Sequence, residues 1–204
     1  MSVFDLPARV GRLVLASGSP RRIELLTEAG FTPLVSPQDV DETAIEGEAP
    51  EHLVERLARL KATSALTHSP ACAGDVIIAA DTIVTLNGEL LGKPADEADA
   101  RRMLAELSGN KHQVKTGVCI ALAGEAPEDA KLVSFVDSSD VEFYELSAKE
   151  ISAYVATTEP MDKAGAYGIQ GLGRALVKSI SGDYFNIVGL PVSRLLRELD
   201  ELVG

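Results

Sequence analysis

The sequence predicts an α/β protein built on a mixed β-sheet. Short apolar segments alternate with helical patterns along the first part of the chain, which is typical of strand–helix units. Two later segments alternate polar and apolar residues, which favours long antiparallel strands. Turn residues separate the elements, and the chain has no repeat or long linker. The 204 residues fit one large domain or two merged lobes, and we assign residues 1–204 to one domain with residues 1–12 as an N-terminal extension.

The first third of the chain predicts a strand, a helix, a second strand and a longer helix. An apolar run at residues 13–16 is followed by Ser19 as a helix cap and Pro20 at the first helical position. Residues 31–36 form the second predicted strand. The longer helix begins at Pro50, after which apolar residues recur at helical spacing.

A central strand, a hairpin and a helix are predicted next. Residues 76–80 are fully apolar, as in strands covered on both faces, and Asp81 lies at the end of this run. Asn87-Gly88 between apolar residues predicts a tight hairpin, because both turn positions need positive φ. A helix from residue 95 to residue 107 follows the hairpin.

The remaining elements are two long strands and two helices around a glycine-rich segment. The strands are predicted at residues 112–123 and 131–146, where apolar residues alternate with polar ones. A capping-box spacing predicts the helix at residues 148–155. Residues 159–173 contain too many glycines for a regular element, and the last amphipathic helix covers residues 192–203.

Composition excludes several classes of protein. Cys72 and Cys119 lie far apart without a metal-binding spacing, so neither a disulfide framework nor a zinc site is indicated, and a cytoplasmic location fits best. The first residues lack the apolar run of a signal peptide, and no segment reaches the ~18 apolar residues of a membrane span. A formal net charge of -12 and only 4% aromatic residues disfavour binding to nucleic acid or to an anionic membrane. An anion must therefore be bound by a few focused cations.

The first candidate site is LASGSPRR, residues 15–22. N–H groups at a helix start, two hydroxyls and an arginine fork suit a phosphate, and Gly18 permits a close approach of the backbone. The same residues would also serve as a capped helix entry with solvated arginines. The segment is not a Walker A loop, because the only Gly-Lys pair, Gly92-Lys93, is followed by proline.

The second candidate site is Asp81. Strand ends are where α/β sheets place active sites, and an aspartate there can bind a divalent metal or activate water. It would equally cap a turn. Glu42 lies in an acidic loop of ordinary composition, and Lys61, Lys93 and Lys163 taken singly resemble solvated surface lysines.

Other catalytic signatures are missing from the sequence. His52, His68 and His112 show neither metal spacing nor a triad partner, so we interpret them as structural or surface residues. No GxSxG, HExxH or GxGxxG motif is present. The residues alone therefore lead to an α/β protein with a phosphate site and a carboxylate for a metal or a proton, and not to a substrate.

The ordered set of motifs resembles the Maf family of nucleoside triphosphate pyrophosphatases. These motifs are LASGSPRR, DET, ERLARLKA, AADTIV, GKP, EPMDKAGAYGIQGLG and GDYFNIVGLP, and they span residues 13–191. The resemblance implies a single Maf-like domain with an elongated mixed sheet flanked by helices, two lobes and a central cleft. It also implies a homodimer and a fold related to inosine triphosphate pyrophosphatases. AADT and DKAGAYGIQG match the branch of the family that hydrolyses dTTP and UTP to the monophosphate and pyrophosphate.

Motif positions imply roles for individual residues. Asp81 would be the proton acceptor, and Asp81 with Glu42 would hold Mg²⁺ or Mn²⁺ through oxygen ligands. Arg21, Thr82 and Gln170 match the positions with which the dTTP/UTP branch selects its base. The implied substrate-binding residues are Ser17, Ser19, Arg21, Arg22, Glu42, Lys61, Lys93 and Lys163.

The competing hypothesis is a non-catalytic nucleotide-binding regulator of septation. Both hypotheses predict a nucleoside triphosphate as the partner, and neither involves nucleic acid or a membrane. A sensor needs no group that activates water, so the presence of Asp81 beside a full set of cations favours an enzyme.

Overall fold

The computed structural model describes residues 6–68 and 71–204. Residues 1–5, which belong to the predicted N-terminal extension, lie outside this part of the chain. The helices are α1 (Leu6–Arg9), α2 (Pro20–Glu28), α3 (Pro50–His68), α4 (Glu97–Leu107), α5 (Ala148–Val155), α6 (Tyr184–Val188) and α7 (Val192–Val203). The strands are β1 (Leu13–Leu15), β2 (Leu34–Val35), β3 (Val76–Leu86), β4 (Glu89–Leu91), β5 (Lys111–Leu122), β6 (Lys131–Phe143) and β7 (Val177–Ser181).

The strands form one mixed sheet in the order β2-β1-β3-β5-β6-β7, with β4 paired to β3. Strand β1 pairs in parallel with both β2 and β3. The pairs β3–β4 and β6–β7 are antiparallel. The predicted α/β class with a mixed sheet is therefore confirmed.

The chain divides into two compact units. Unit 1 contains the described residues up to Asp81, together with Thr116–Val136 and Gly189–Gly204. Unit 2 contains Thr82–Lys115 and Asp137–Val188.

The core of unit 1 forms where α3 packs against strands through small residues. Ala58, Ala62 and Ala65 of α3 are fully buried in a cluster with Ile77 of β3. At Gly117 of β5 the approach is so close that a Cβ atom would overlap the backbone of α3. Alanine and glycine at these positions therefore allow the backbones of helix and strand to come close together.

The core of unit 2 is built around α4 and α5. Leu104 and Leu107 of α4 are fully buried in one apolar cluster with Phe143, Val155 and Tyr167. Fully burying such side chains stabilises a fold by roughly 1.5 to 3 kcal/mol each. This core supports the glycine-rich segment that carries Tyr167.

Local turn and cap signals predicted the element boundaries well. Asn87 and Gly88 adopt φ values of 53° and 86°, as the hairpin requires. Ser147 and Glu150 form the predicted capping box at the start of α5. Helix α4 starts two residues after the predicted position, because the Asp96 side chain accepts a hydrogen bond from the Asp99 N–H at 2.8 Å and caps it.

Two predictions about local structure were wrong. Ser19 stands at the N-cap position of α2, but its side chain makes no capping hydrogen bond among the described residues. Asp81 does not end a strand, because β3 continues from Val76 to Leu86. The β-branched residues after Asp81 extend the strand, since no glycine or proline interrupts it.

Three short elements were not predicted. Helix α1 is tied to unit 1 because Leu6 is fully buried and Arg9 forms an ion pair with Asp200 of α7. Strand β7 and helix α6 lie in unit 2, in a stretch where the sequence shows no clear periodicity.

Candidate functional site

The loop from β1 into α2 holds Arg22 in a fixed position. Ser17 is buried, and its Oγ accepts hydrogen bonds from the Ser19 N–H at 3.3 Å and from Arg22 Nη1 at 2.9 Å. Arg22 Nε donates to the backbone carbonyl of Gly189 at 2.8 Å. The guanidinium is therefore anchored on two sides beside the start of a helix, where N–H groups and the helix dipole favour an anion.

Both positive and negative side chains act on the guanidinium of Arg22. Burial lowers the pKa of its guanidinium, and the neighbouring positive charge of Arg21 also lowers it. The negative charges of Asp81 and Glu42 raise the same pKa. Arg22 therefore lies within electrostatic reach of three of the predicted site residues, and as an arginine it stays protonated.

Lys61 joins the two predicted carboxylates in one ion-paired cluster. Its Nζ lies 2.7 Å from Asp81 Oδ1 and 2.6 Å from Glu42 Oε1. The side chains of Lys61 and Asp81 are only 10% and 14% exposed, whereas that of Glu42 is 58% exposed. A buried lysine paired with a partly buried carboxylate departs from the usual surface position of both residue types. From the residues alone, Glu42 lay in an ordinary acidic loop and Lys61 resembled a solvated lysine, and the fold brings both to the candidate Asp81.

The acidic loop that carries Glu42 is anchored to α3. Arg56 Nε and Nη2 donate to the two carboxylate oxygens of Glu48 at 2.7 and 2.8 Å. Arg56 Nη2 also donates to the backbone carbonyl of Thr43 at 3.1 Å. The bidentate pair fixes the loop at Glu48, and the bond to Thr43 fixes it one residue beyond Glu42. Both anchors come from α3, the helix that also supplies Lys61. Sequence reasoning missed Arg56 and Glu48, because an acidic loop near a helical arginine carries no distinctive spacing.

Asp81 lies just past the parallel part of the sheet, although it is inside β3. The parallel pairing of β1 with β3 ends at Leu15 and Ile78, and the Ala16 N–H donates to the Ile78 carbonyl at 2.8 Å. Asp81 follows three residues later. It therefore lies at the carboxyl edge of the β1–β3 pair, where α/β sheets place ligands, even though its own strand continues.

The predicted lysines of unit 2 lie on two connected loops. The Gly165 N–H donates to the Gly92 carbonyl at 3.0 Å, which links the loop of the exposed Lys93 to the segment of Lys163. Lys163 Nζ donates to the Glu159 carbonyl at 2.7 Å and to Asp162 Oδ1 at 2.6 Å. The two loops of unit 2 that carry the lysines are therefore held to each other by the backbone.

The two remaining predicted residues, Thr82 and Gln170, are both half-buried in unit 2. Successive side chains of a regular strand point to opposite faces, so Thr82 is expected to face away from Asp81. Gln170 lies in the glycine-rich segment. Their roles in base selection stay predictions.

Glu159 is a further residue whose structural role the sequence did not indicate. Its carboxylate accepts hydrogen bonds from Tyr154 Oη at 2.9 Å, from the Leu172 N–H at 2.8 Å and from the Gly173 N–H at 3.1 Å. The glutamate opens the quoted motif, but nothing in its spacing indicates which backbone groups it contacts.

In the chain outside residues 1–5 and 69–70, no group of three or more His, Cys, Asp or Glu side chains could hold a metal ion. His112 is buried and His52 and His68 are exposed, as expected for structural or surface residues. Across the same described residues, no helix is both long and apolar enough to cross a bilayer.

The chain is similar to a known protein family over almost its whole length. The model of the family described as Maf-like protein matches residues 12–202. A curated dTTP/UTP pyrophosphatase of Symbiobacterium thermophilum is 49% identical over 190 residues, covering 93% of each chain. Proteins of the same name from Bacillus cereus strain AH820 and Clostridioides difficile strain 630 are 45% and 49% identical, covering 93% and 90% of this chain and 95% and 91% of their own lengths.

A structural neighbour agrees with the fold class. The Ham1 protein of Staphylococcus aureus superposes with a TM-score of 0.50 and 18% identity, covering 94% of this chain and 99% of its own. At this identity the likeness concerns the fold alone. The family match spans nearly the whole chain, and these curated relatives reach almost half identity over nine-tenths of it, and so the protein belongs to the Maf family.

Proposed function

We propose that this protein is a nucleoside triphosphate pyrophosphatase that hydrolyses dTTP and UTP to the monophosphate and pyrophosphate. The observation that carries the proposal is the cluster in unit 1, where Lys61 bridges Asp81 and Glu42 within electrostatic reach of Arg22. The activity that names the curated relatives supports this function over a regulator that only binds nucleotides.

The phosphates would be held mainly by groups that the fold has already oriented. Arg22 is fixed by Ser17 and by the Gly189 carbonyl, so little side-chain entropy is lost when it binds an anion. Ser19 and Arg21 at the start of α2 offer a hydroxyl and a second guanidinium. Lys93 and Lys163 stay predictions as additional phosphate contacts.

The carboxylates of unit 1 fit a divalent cation that is shared with the substrate. Mg²⁺ is usually bound by one or two carboxylates together with substrate phosphates, rather than by a cage made of protein alone. Asp81 and Glu42 provide two such carboxylates, both turned toward the Lys61 ammonium. Bound there, Mg²⁺ or Mn²⁺ would neutralise phosphate charge.

The chemical step assigned to Asp81 is acceptance of a proton. In the described parts of the chain, only Oδ1 of Asp81 takes part in a hydrogen bond, so Oδ2 is available to accept a proton from water. The water oxygen bonds to the α-phosphorus as its proton moves to Asp81, and the bond from that phosphorus to the bridging oxygen breaks. The monophosphate and pyrophosphate result, and Lys61 holds the carboxylate in place during the step.

The proposal also covers base selection, oligomeric state and location. Base selection is assigned to Thr82 and Gln170, whose hydroxyl and amide groups match the edge of a pyrimidine, which presents one donor and one acceptor. Arg21 is assigned to base selection by its motif position. A homodimer and a cytoplasmic location follow from the sequence resemblance and from the cysteine content, and they stay predictions.

The test is replacement of Asp81 by Asn in the full-length protein. We expect kcat for pyrophosphate release from dTTP to fall by about 10²- to 10⁴-fold, the usual contribution of a general base, because an amide cannot accept the proton. Asp39→Asn is the matched control, since Asp39 is exposed in unit 1 and the same chemical change is made on a carboxylate other than the two that Lys61 bridges. An Asp81→Asn enzyme with kcat within twofold of the wild type would contradict the proposal.

A further inference from the structure

The glycine-rich segment, residues 159–173, closes into a loop on the carboxylate of Glu159. Glu159 begins the segment, and its carboxylate accepts the N–H groups of Leu172 and Gly173 at the other end. The regular structure of residues 159–173 consists of short 3₁₀ turns, and the segment contains no β-strand. Its two ends are therefore joined by one side chain rather than by a ladder of backbone hydrogen bonds.

The same carboxylate reaches the middle of the loop through Tyr154. Tyr154 Oη donates to Glu159 Oε1 at 2.9 Å and accepts the Gly168 N–H at 3.1 Å. Burial is the largest influence on the pKa of Tyr154 and raises it, so this hydroxyl stays protonated and can donate. Glu159 thus contacts the beginning, the middle and the end of the segment.

The glycines of the segment make room for this arrangement. A Cβ atom on Gly171 would overlap the Glu159 carboxylate, and one on Gly173 would lie 2.5 Å from Tyr154 Oη. A Cβ on Gly168 would lie 2.7 Å from Cε of Lys163, so the lysine stem passes directly over that glycine. At all three glycines, an added Cβ would therefore displace Glu159, its tyrosine partner or Lys163 from the position that the structure shows.

The segment carries two residues of unit 2 that the proposed function uses, Lys163 and Gln170. Lys163 is bound to the backbone carbonyl of Glu159 itself at 2.7 Å, and its side chain is only 16% exposed. Gln170 lies two residues before Leu172, next to the glycine that faces the carboxylate. A shift of Glu159 would therefore displace both residues.

The Glu159 carboxylate is suited to hold this position in its ionised form. Burial tends to raise its pKa, but the N–H groups of Leu172 and Gly173, the Tyr154 hydroxyl and the charge of Lys163 outweigh burial and lower it. An ionised carboxylate is an acceptor only, and all three of its neighbours are donors.

We propose that Glu159 is a positioning residue that orders the glycine-rich segment and thereby places Lys163 and Gln170 for nucleotide recognition. The inference rests on the proposed function for what the two residues recognise. It goes beyond that function in assigning the geometry of the segment to one carboxylate that would not itself touch the substrate.

The first experiment compares Glu159→Gln with the wild type in the full-length protein. Gln must place an amide group against at least one donor, so one hydrogen bond becomes a repulsive contact. We expect hydrogen exchange to accelerate across residues 163–173, and kcat/KM for dTTP to fall by about tenfold to a hundredfold, as a small misplacement of binding groups produces. The ratio of kcat/KM for dTTP over dATP should fall as well, which a general loss of stability would not cause.

Glu150→Gln is the matched control for this substitution. Glu150 lies on α5, the helix that also carries Tyr154, and its carboxylate closes a capping box with Ser147. Glutamine also fits a capping box, so this variant should keep the exchange pattern and the substrate ratio of the wild type.

Gly171→Ala tests the same contact from the opposite side. The added methyl group would overlap the carboxylate and push it away without removing its charge. We expect the same changes as in Glu159→Gln, and a double variant that is no worse than either single one, since both remove one interaction.

The outcomes separate this proposal from the proposed function. Unchanged exchange, or faster exchange with an unchanged dTTP/dATP ratio, in Glu159→Gln would overturn the positioning role. A Gly171→Ala enzyme that behaves as the wild type would also overturn it, because the position of the Glu159 carboxylate in the loop would then have no effect. If the wild type released no pyrophosphate from any triphosphate, the proposed function would fail. In that case, weaker binding of dTTP by Glu159→Gln and by Gly171→Ala, measured by calorimetry, would still support the positioning role. If Glu159→Gln did not fold, Gly171→Ala alone would decide.

Discussion

Buried His112 should make the stability of the protein depend on pH. The side chain is 1% exposed, its Nε2 shares a hydrogen bond of 2.8 Å with Tyr167 Oη, and its Nδ1 has no partner in the described chain. The rings of Phe143 and Tyr167 pack edge-to-face against it at 5.0 and 5.3 Å. Burial lowers the pKa of His112 from 6.5 to about 4, although the negative charge of Asp140 raises it slightly. An imidazolium there would place a charge in an aromatic pocket with one N–H unbonded.

The sign and size of the effect follow from proton linkage. Between pH 6.5 and pH 4 the unfolded chain binds a proton at this histidine and the folded chain does not, so the free energy of unfolding rises with pH. The stabilising contribution is complete above pH 6.5 and is lost as the pH falls toward 4. Lowering the pH from about 7 to about 5 should therefore reduce the free energy of unfolding by about 2 kcal/mol through this one group.

The assay is urea unfolding of the wild type and of His112→Gln at both pH values. Glutamine does not titrate and its amide can still bond to Tyr167, so other titrating groups cancel in the comparison. The wild type should lose about 2 kcal/mol more than the variant between the two pH values. Equal losses in the two proteins, within about 0.5 kcal/mol, would show that the pocket accepts the charged ring and would refute the reasoning.

Two further predictions concern close packing and phosphate binding. Gly117→Ala should lower the free energy of unfolding by about 3 kcal/mol or more, because its methyl group would overlap the backbone at Val54; thermal unfolding that stays at the wild-type temperature would contradict this packing. Arg22→Lys should raise KM for dTTP by about tenfold with a smaller change in kcat. The planar guanidinium can bond to Ser17, to the Gly189 carbonyl and to a phosphate at once, and a lysine ammonium cannot. Steady-state kinetics measure that change, and an unaltered KM would remove Arg22 from the phosphate site.

Elements that depend on neighbours in sequence were predictable. The capping box of Ser147 and Glu150 and the Asn87-Gly88 turn are each complete within four residues, and both occur where predicted. The apolar stripes of α3 and α7 likewise indicate helices through their own periodicity. Local signals of this kind are sufficient because the groups that satisfy them are adjacent.

Contacts between distant residues were not predictable from the residues alone. Arg22 meets the carbonyl of Gly189, which is 167 positions away, and no pattern near either residue indicates the other. Lys61 is 20 positions from Asp81, and the two side chains meet only because α3 packs on the sheet. The resemblance to the family selected these residues, but the hydrogen bonds that hold them depend on the packing of the whole unit.

The error at Asp81 shows why strand length and site position are separate questions. The sequence predicts a strand end at Asp81, because the apolar run stops at Ala80 and active sites favour such ends. In the structure the strand continues, yet the parallel partner β1 stops first, so a carboxyl edge still forms beside Asp81. The edge of a sheet is set by the shorter of two paired strands, and the sequence of the longer strand alone does not reveal it.

The overall negative charge and the cationic cluster act over different distances. A net charge of -12 repels polyanions, whose many phosphates spread over a wide face of the protein. At physiological ionic strength this field is screened within about 8 Å, whereas contacts of hydrogen-bond length in a partly buried site are screened much less. In unit 1, the positive charges of Arg21, Arg22 and Lys61 act on the same site as the carboxylates of Glu42 and Asp81. A small triphosphate can therefore be attracted by the cluster, whereas a nucleic acid would be repelled by the surface. We expect KM for dTTP to depend only weakly on salt, and we expect no measurable binding of duplex DNA.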